Sequence, residues 1–227
     1  MIEKELKYLL SKVDYFKLKQ YFESYGENKR LILIKTYYYD TIPYSLLPSI
    51  VFRIRIIENT AEIFLSVKAN IKGRLPSEEK SELQIAKELN YKVNNLKLSL
   101  IENEFPLEEK ELFNIGLDEE SISFISQFKK DLNINKNYLK ILGISEIERL
   151  TGNLSFYNMP FDLDHTKYYK YPNSPNYFED YELEVEDENP DKYINIIQTI
   201  FNQKDIKSLG SEKKIRRLLK YITLHDN

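Results

Sequence analysis

Glu3, Glu5 and Lys7 in "EKELK" are two residues apart. On an extended strand all three point to one face, and Ile2, Lys4 and Leu6 to the other. The arrangement recurs along the chain. In "SIVFRIRIIE" Ile50, Phe52, Ile54 and Ile56 make one face, opposite Val51, Arg53, Arg55 and Ile57. Ser66 and Lys68 oppose Leu65 and Val67, Asp162 and Asp164 oppose Phe161 and Leu163, and Glu182, Glu184 and Glu186 oppose Tyr181, Leu183 and Val185. Arginines gather on one strand and carboxylates on others. Guanidinium and ammonium groups bind dense anions such as polyphosphate by charge-assisted, often bidentate hydrogen bonds. Polyphosphate arrives with a divalent cation, which takes carboxylate oxygens. Basic and acidic walls facing each other would hold the two halves of one such ligand.

Periodicity supplies the elements that must position these faces. It predicts a strand at about 2–10 and a helix at about 13–25 that turns Val13, Phe16, Tyr21 and Phe22 inward. Four strands are expected next, in "ILIKTYYYDT", "SIVFRIRIIE", "AEIFLSVKAN" and "LPSEEKSELQI", with turns at 58–60 and 70–73. Residues 87–137 read as mostly helical or irregular, Pro106 opening one helix and a second crossing 118–130. Strands return in "YLKILGISEIERL", "NLSFYNMPFDLDHT" and "YFEDYELEVEDE", and two helices close the chain at about 190–203 and 211–224. About eight strands joined largely by short turns make an α+β fold, an antiparallel sheet or barrel with helices outside. In an open sheet the charged faces would meet water. In a closed barrel they would line a polar lumen, with the apolar faces under the helices. Helices that need an apolar surface to cover favour the barrel. With no repeat or Gly/Ser-rich linker, residues 1–227 are expected to form a single domain.

Composition narrows the chemistry. Among 227 residues, 42% are hydrophobic and 30% charged, as in a globular protein with a sizeable core. No apolar run approaches the roughly 18–20 residues that span a bilayer, and acids interrupt the N-terminus from residue 3, so neither a membrane partner nor a signal peptide is expected. Cytoplasmic location follows as the default. The absence of cysteine excludes thiolate metal sites, and two histidines, His165 and His225, are too few for a histidine-built centre. Any metal must be held by oxygen, which points to Mg²⁺ or Mn²⁺. A net charge of −3 gives no global basic field of the kind nucleic-acid binders use.

Taken in order, Glu3-x-Glu5-x-Lys7, "YYD" with Asp40 and Thr41, "RIR" at Arg53 and Arg55, "SVK" ending at Lys68, Arg149, "LDHT" with Asp164, "YELE" with Glu182 and Glu184, and "KIRR" with Lys214 and Arg217 resemble the signature of the CYTH superfamily, the triphosphate tunnel metalloenzymes. The wording is most similar to bacterial members of triphosphatase type. The resemblance implies a closed eight-stranded antiparallel tunnel that binds a small-molecule triphosphate with Mg²⁺ or Mn²⁺ and hydrolyses its terminal phosphoanhydride. Inorganic tripolyphosphate, thiamine triphosphate and nucleoside triphosphates are the candidate substrates. It implies Glu3, Glu5 and Glu184 as metal ligands, with Asp164 and Glu182 close by. Lys7, Arg53, Arg55, Lys68, Arg149 and Lys214 would grip phosphate, as would Arg217, whose neighbour Arg216 competes for the role. Lys7, Arg55 and Glu182 carry the expected catalytic roles, Glu182 by orienting the attacking water. The fifth-strand pattern of the family finds no secure counterpart in "GRLPSEEKSELQ". Adenylate cyclase or polyphosphate polymerase activity on the same tunnel would need a base pocket or a long-chain exit, which no motif identifies. A non-catalytic polyphosphate binder would keep the bases and could shed the acids. Other readings remain for single residues: a turn or cap for Asp164, a solvated edge for Glu186, a polar wall for His165, and packing under a helix for Tyr37, Tyr38 and Tyr39.

Overall fold

The side-chain alternation along each strand decides the architecture. The computed structural model describes residues 2–41, 46–47, 50–70, 83–172 and 174–224. Its strands are β1 (Ile2–Leu10), β2 (Glu27–Asp40), β3 (Ile50–Ile57), β4 (Glu62–Asn70), β5 (Leu83–Val93), β6 (Glu104–Pro106), β7 (Tyr138–Leu154), β8 (Met159–Tyr169) and β9 (Phe178–Glu186). Interleaved are helices α1 (Lys12–Tyr25), α2 (Glu109–Asn114), α3 (Glu119–Asp131), α4 (Ile194–Lys204) and α5 (Lys214–Leu224). The strands run in the order β2-β3-β4-β5-β1-β9-β8-β7, and a further pairing of β2 with β7 closes the ring of eight. Every pairing is antiparallel, and β6 adds at β7 through Phe105↔Leu139. The fold is therefore α+β, with a closed antiparallel barrel as expected.

Closure leaves the apolar faces outside, where helices cover them. Tyr39, Phe52, Ile54 and Leu65 of β2–β4 pack with Leu112 of α2 and Ile125 and Phe128 of α3. Leu6, Leu163, Leu183 and Val185 pack under Leu18 and Phe22 of α1 and Ile197 and Phe201 of α4. Each such side chain taken fully from water contributes roughly 1.5–3 kcal/mol before its entropy cost. Ser11 starts α1 by accepting the Asp14 backbone N–H, and Asp118 starts α3 by accepting that of Ser121. The last helix behaves differently. Ile215, Leu218 and Ile222 of α5 pack on Tyr38, Leu142 and Tyr168, residues of the inner side at one end of the barrel. Gly143 permits this approach: a Cβ there would meet Leu218 Cδ1 and the Tyr169 carbonyl, both at 2.8 Å.

Several local expectations are corrected. Tyr15, Leu18 and Phe22, spaced three and four apart, form the buried stripe of α1, whereas Val13 and Phe16 are exposed. Pro106 ends strand β6 instead of opening a helix; its missing N–H is tolerated at a strand terminus. The region expected to be helical or irregular from residue 87 continues as strand to Val93, and the strand expected at 75–85 begins at Leu83 among the described residues. Residues 71–82, including part of that expected strand and of the turn at 70–73, lie outside the described residues. The strands expected at 138–150 and 153–166 correspond to β7 and β8 with a shifted boundary: β7 runs on to Leu154, and a 3₁₀ turn at Ser155–Tyr157 precedes β8. Tyr37 and Tyr39 pack beneath outer helices, while Tyr38 turns to the inner side and packs under α5, its hydroxyl 3.3 Å from Ser145 Oγ.

Candidate functional site

Two-residue spacing carries the charged side chains of successive strands into one interior. A cavity of about 420 Å³ is lined by Glu3, Glu5 and Lys7 of β1, Arg53 and Arg55 of β3, Lys68 of β4 and Glu88 of β5. Arg149 of β7, Glu184 and Glu186 of β9, and Lys213 and Lys214 at the start of α5 complete its charged wall. Seven cationic side chains face five carboxylates there. The wall is thus net positive in a chain of net charge −3.

The expected site residues divide into two layers. Glu3, Glu5, Lys7, Arg53, Arg55, Lys68, Arg149, Glu184 and Lys214 line the cavity; Asp164, Glu182 and Arg217 do not. Asp164 and Glu182 are fully buried behind it. Arg217 donates to Glu182 Oε2 at 2.5 Å and to the Tyr168 hydroxyl at 3.0 Å, and also pairs with Asp180. Lys214 Nζ lies 3.0 Å from Asp164 and 2.9 Å from Glu184, and it pairs closely with Glu182 as well. Sequence reading placed Glu182 beside an attacking water. Its carboxylate lies fully buried beneath Lys214 and Arg217, with an oxygen close to those of Asp164 and Glu184.

In the front layer, Lys7 donates to Glu184 at 2.5 Å and lies 3.6 Å from Glu5, and Lys68 lies 2.6 Å from Glu3. Burial pushes the Glu184 carboxyl up, but Lys7 and Arg149 overcome it and hold the group well below the usual carboxylate range. Arg149 grips Asp164 with two nitrogens, each at 2.7 Å, and reaches Asp162 and Glu184 at 2.5 Å. It braces β7, β8 and β9 while facing the cavity. Arg53 donates to Glu88 at 2.8 Å. Arg55 stands apart: among the described residues no carboxylate lies within ion-pair distance of it. Burial first, and then the like charge of Arg53, push its guanidinium down to about 10, so it remains a cation at neutral pH.

Sequence reading missed Glu88 and Lys213. Glu88 and Asn90, two residues apart, both face the cavity, and that spacing could have revealed Glu88 had the fifth strand been extended to Val93. Lys213 immediately precedes α5 and points into the cavity beside its neighbour Lys214. Burial and nearby Lys68 lower its ammonium to about 8. It is charged below that pH and neutral above, so anion binding should weaken as pH rises through 8. The expected result is a KM for a triphosphate that climbs between pH 7.5 and 9, a climb that Lys213→Arg abolishes because guanidinium stays protonated. A flat wild-type profile would remove Lys213 from the binding wall. His165 lies outside the barrel, stacked on Tyr181 at 4.8 Å and bonded to Glu179 at 3.0 Å. Asp40 is also structural: it accepts the backbone N–H groups of Thr41, Leu46 and Leu47.

A hard divalent cation fits this donor set, which is wholly oxygen. Among the described residues, Asp164, Glu182 and Glu184 bring carboxylate oxygens within 4.8 Å of one another, and the Lys214 ammonium already rests on all three. Glu3 Oε2 is buried without hydrogen-bond geometry to any donor, although Lys68 Nζ is near.

A closed antiparallel bore lined by opposed bases and carboxylates defines a tunnel-type domain. The CYTH domain family model matches residues 1–219, and the chain belongs to that family. A search of curated protein sequences returns no match. Among solved structures, the fold is similar to HpAC1 from Hippeastrum, assigned as an adenylyl cyclase and described as having a dominant triphosphatase activity. That match has 16% identity and a TM-score of 0.72, over 96% of this chain and 95% of that one. An assigned adenylate cyclase from Bacillus halodurans matches with 22% identity and a TM-score of 0.64, over 94% and 95%. Protein PH1819 from Pyrococcus horikoshii OT3 matches with 13% identity and a TM-score of 0.54, over 96% and 98%. At these identities the likeness is one of fold. No helix among the described residues is long and apolar enough to cross a membrane.

Proposed function

We propose that this protein hydrolyses the terminal phosphoanhydride of a triphosphate held in the cavity, with Mg²⁺ or Mn²⁺ as cofactor. One observation carries the reading: an enclosed wall with surplus cations, among them Arg55, which has no carboxylate partner among the described residues. Phosphoryl transfer requires positioning and charge neutralisation more than covalent catalysis. Arg53, Arg55, Lys68 and Lys7 grip the phosphates, and Lys213 and Lys214 close on them from α5. Arg149 orients Glu184 and Asp164 while adding its charge, and Glu182 positions Lys214 and Arg217. Glu3, Glu5 and Glu184 would hold the divalent cation, which when bound neutralises phosphate oxygens and polarises the terminal phosphorus. The oxygen of a water attacks that phosphorus as the bridging P–O bond breaks. The bond's electron pair leaves on the diphosphate, and the water's proton passes to a carboxylate of the wall.

Orthophosphate release from tripolyphosphate, thiamine triphosphate, ATP and diphosphate, each with Mg²⁺ or Mn²⁺, tests the reading. One orthophosphate per triphosphate is expected, with little from diphosphate and none in excess EDTA. Activity that persists in EDTA, or a preference for diphosphate, overturns it.

A further inference from the structure

The cations of α5 meet the barrel in two different ways. Lys214 and Arg217 are three residues apart and so share one face of the helix. Lys214 and its neighbour Lys213 reach the cavity wall, whereas Arg217, Tyr168 and Asp180 do not. Arg217 instead bonds behind the wall. It donates to the Tyr168 hydroxyl at 3.0 Å, to Glu182 Oε2 at 2.5 Å and to the Glu212 carbonyl, and it pairs with the Asp180 carboxylate. Tyr168 is fully buried, and its own hydroxyl donates to Asp180 at 3.5 Å.

Ile215, Leu218 and Ile222 hold α5 on the barrel by apolar contact, which is non-directional and sets no fixed position along the helix axis. The bonds of Arg217 are directional, because a guanidinium presents its donors in a rigid fork. They also divide Glu182: Arg217 takes Oε2 and leaves Oε1 to the Lys214 ammonium. Resting on the triphosphatase reading above, we infer that Tyr168 and Asp180 are positioning residues for phosphate binding. By fixing Arg217 they set the register of α5, and so the points at which Lys213 and Lys214 present their charges to the ligand. Arg217 serves as the anchor of that arrangement and does not touch phosphate.

Calorimetric titration of tripolyphosphate in EDTA reads the grip without turnover, and steady-state kinetics with Mg²⁺ read KM and kcat apart. Asp180→Asn should weaken binding and raise KM by about tenfold to a hundredfold, the range for moving a substrate-positioning group by about 1 Å, with kcat changed far less. Tyr168→Phe keeps the ring and removes only the hydroxyl, and should act in the same direction by about fivefold, the worth of one hydrogen bond. Both effects should vanish in a background carrying Lys213→Met and Lys214→Met, because the lysines they act through are gone. Should Asp180→Asn not fold, Tyr168→Phe in the two backgrounds carries the test. A lowered melting temperature with binding unmoved, or losses that persist without the two lysines, overturns the inference and leaves the triphosphatase reading intact. A wild type that neither binds tripolyphosphate nor releases orthophosphate from it overturns both.

Discussion

Arg55→Ala should lower kcat/KM for a triphosphate by about 10²–10³, the scale of losing one preorganised charge donor to a transition state, without lowering the melting temperature. The two halves of that expectation share one cause. The Arg55 side chain stands on the cavity wall beside Arg53, and no carboxylate of the described residues pairs with it. Burial and the repulsion of Arg53 outweigh the longer-range attraction of Glu88, so the ligand-free fold gains little from this guanidinium and is spared repulsion when it is removed. A triphosphate supplies the missing negative charge. Arg55 is therefore an interaction completed only by the ligand, the kind of strain that active sites hold at the expense of stability. Thermal melts without ligand and with tripolyphosphate, alongside steady-state kinetics, separate the contributions. A variant that melts several degrees lower yet turns over normally would make Arg55 a structural residue and empty the anion site of its anchor.

Glu88→Gln should have the opposite signature, a loss of about 3–5 kcal/mol of stability, the usual cost of stripping one partner from a buried ion pair. Glu88 is 8% exposed and accepts from Arg53 at 2.8 Å, and Lys68 lies 3.8 Å from its second oxygen. Burial pushes its carboxyl up, but Arg53, Arg55 and Lys68 outweigh that and hold it far below the usual carboxylate range. The sign follows. Its folded-state pKa is depressed, so its contribution is fully present above the unfolded value near 4.5 and is lost as pH falls through the folded value. Denaturant melts of wild type and Glu88→Gln should therefore differ most at neutral pH and converge in acid. In a double-mutant cycle, Arg53→Met should recover part of the loss, because the guanidinium that Glu88→Gln strips of its partner is then gone. Additive losses, or a pH-independent difference, would show that the pair does not couple.

Glu88 also marks where sequence reading stops. Two-residue periodicity acts within a strand, so the shared faces of Arg53 and Arg55, of Glu3, Glu5 and Lys7, and of Glu182 and Glu184 were legible from local spacing, while their inward direction came from barrel closure. Glu88 depended on where β5 begins and ends. That is set by its partners, Lys68 opposite Glu88 on β4 and Lys87 opposite Ile2 on β1. Glu182 and Glu184 are indistinguishable in "YELEVE", with the same type and the same face. Only α5, arriving about thirty residues later in sequence, separates them by laying Lys214 and Arg217 over Glu182 and leaving Glu184 at the wall.

What the sequence by itself determined is the sorting of charge from grease on each strand, because a pleated backbone alternates its side chains whatever surrounds it. What only the tertiary structure decided is which charges meet. Closure of the barrel and the entry of α5 neutralise some cations and leave Arg55 unmatched, and electrostatic pairing acts through distances that strand spacing does not contain.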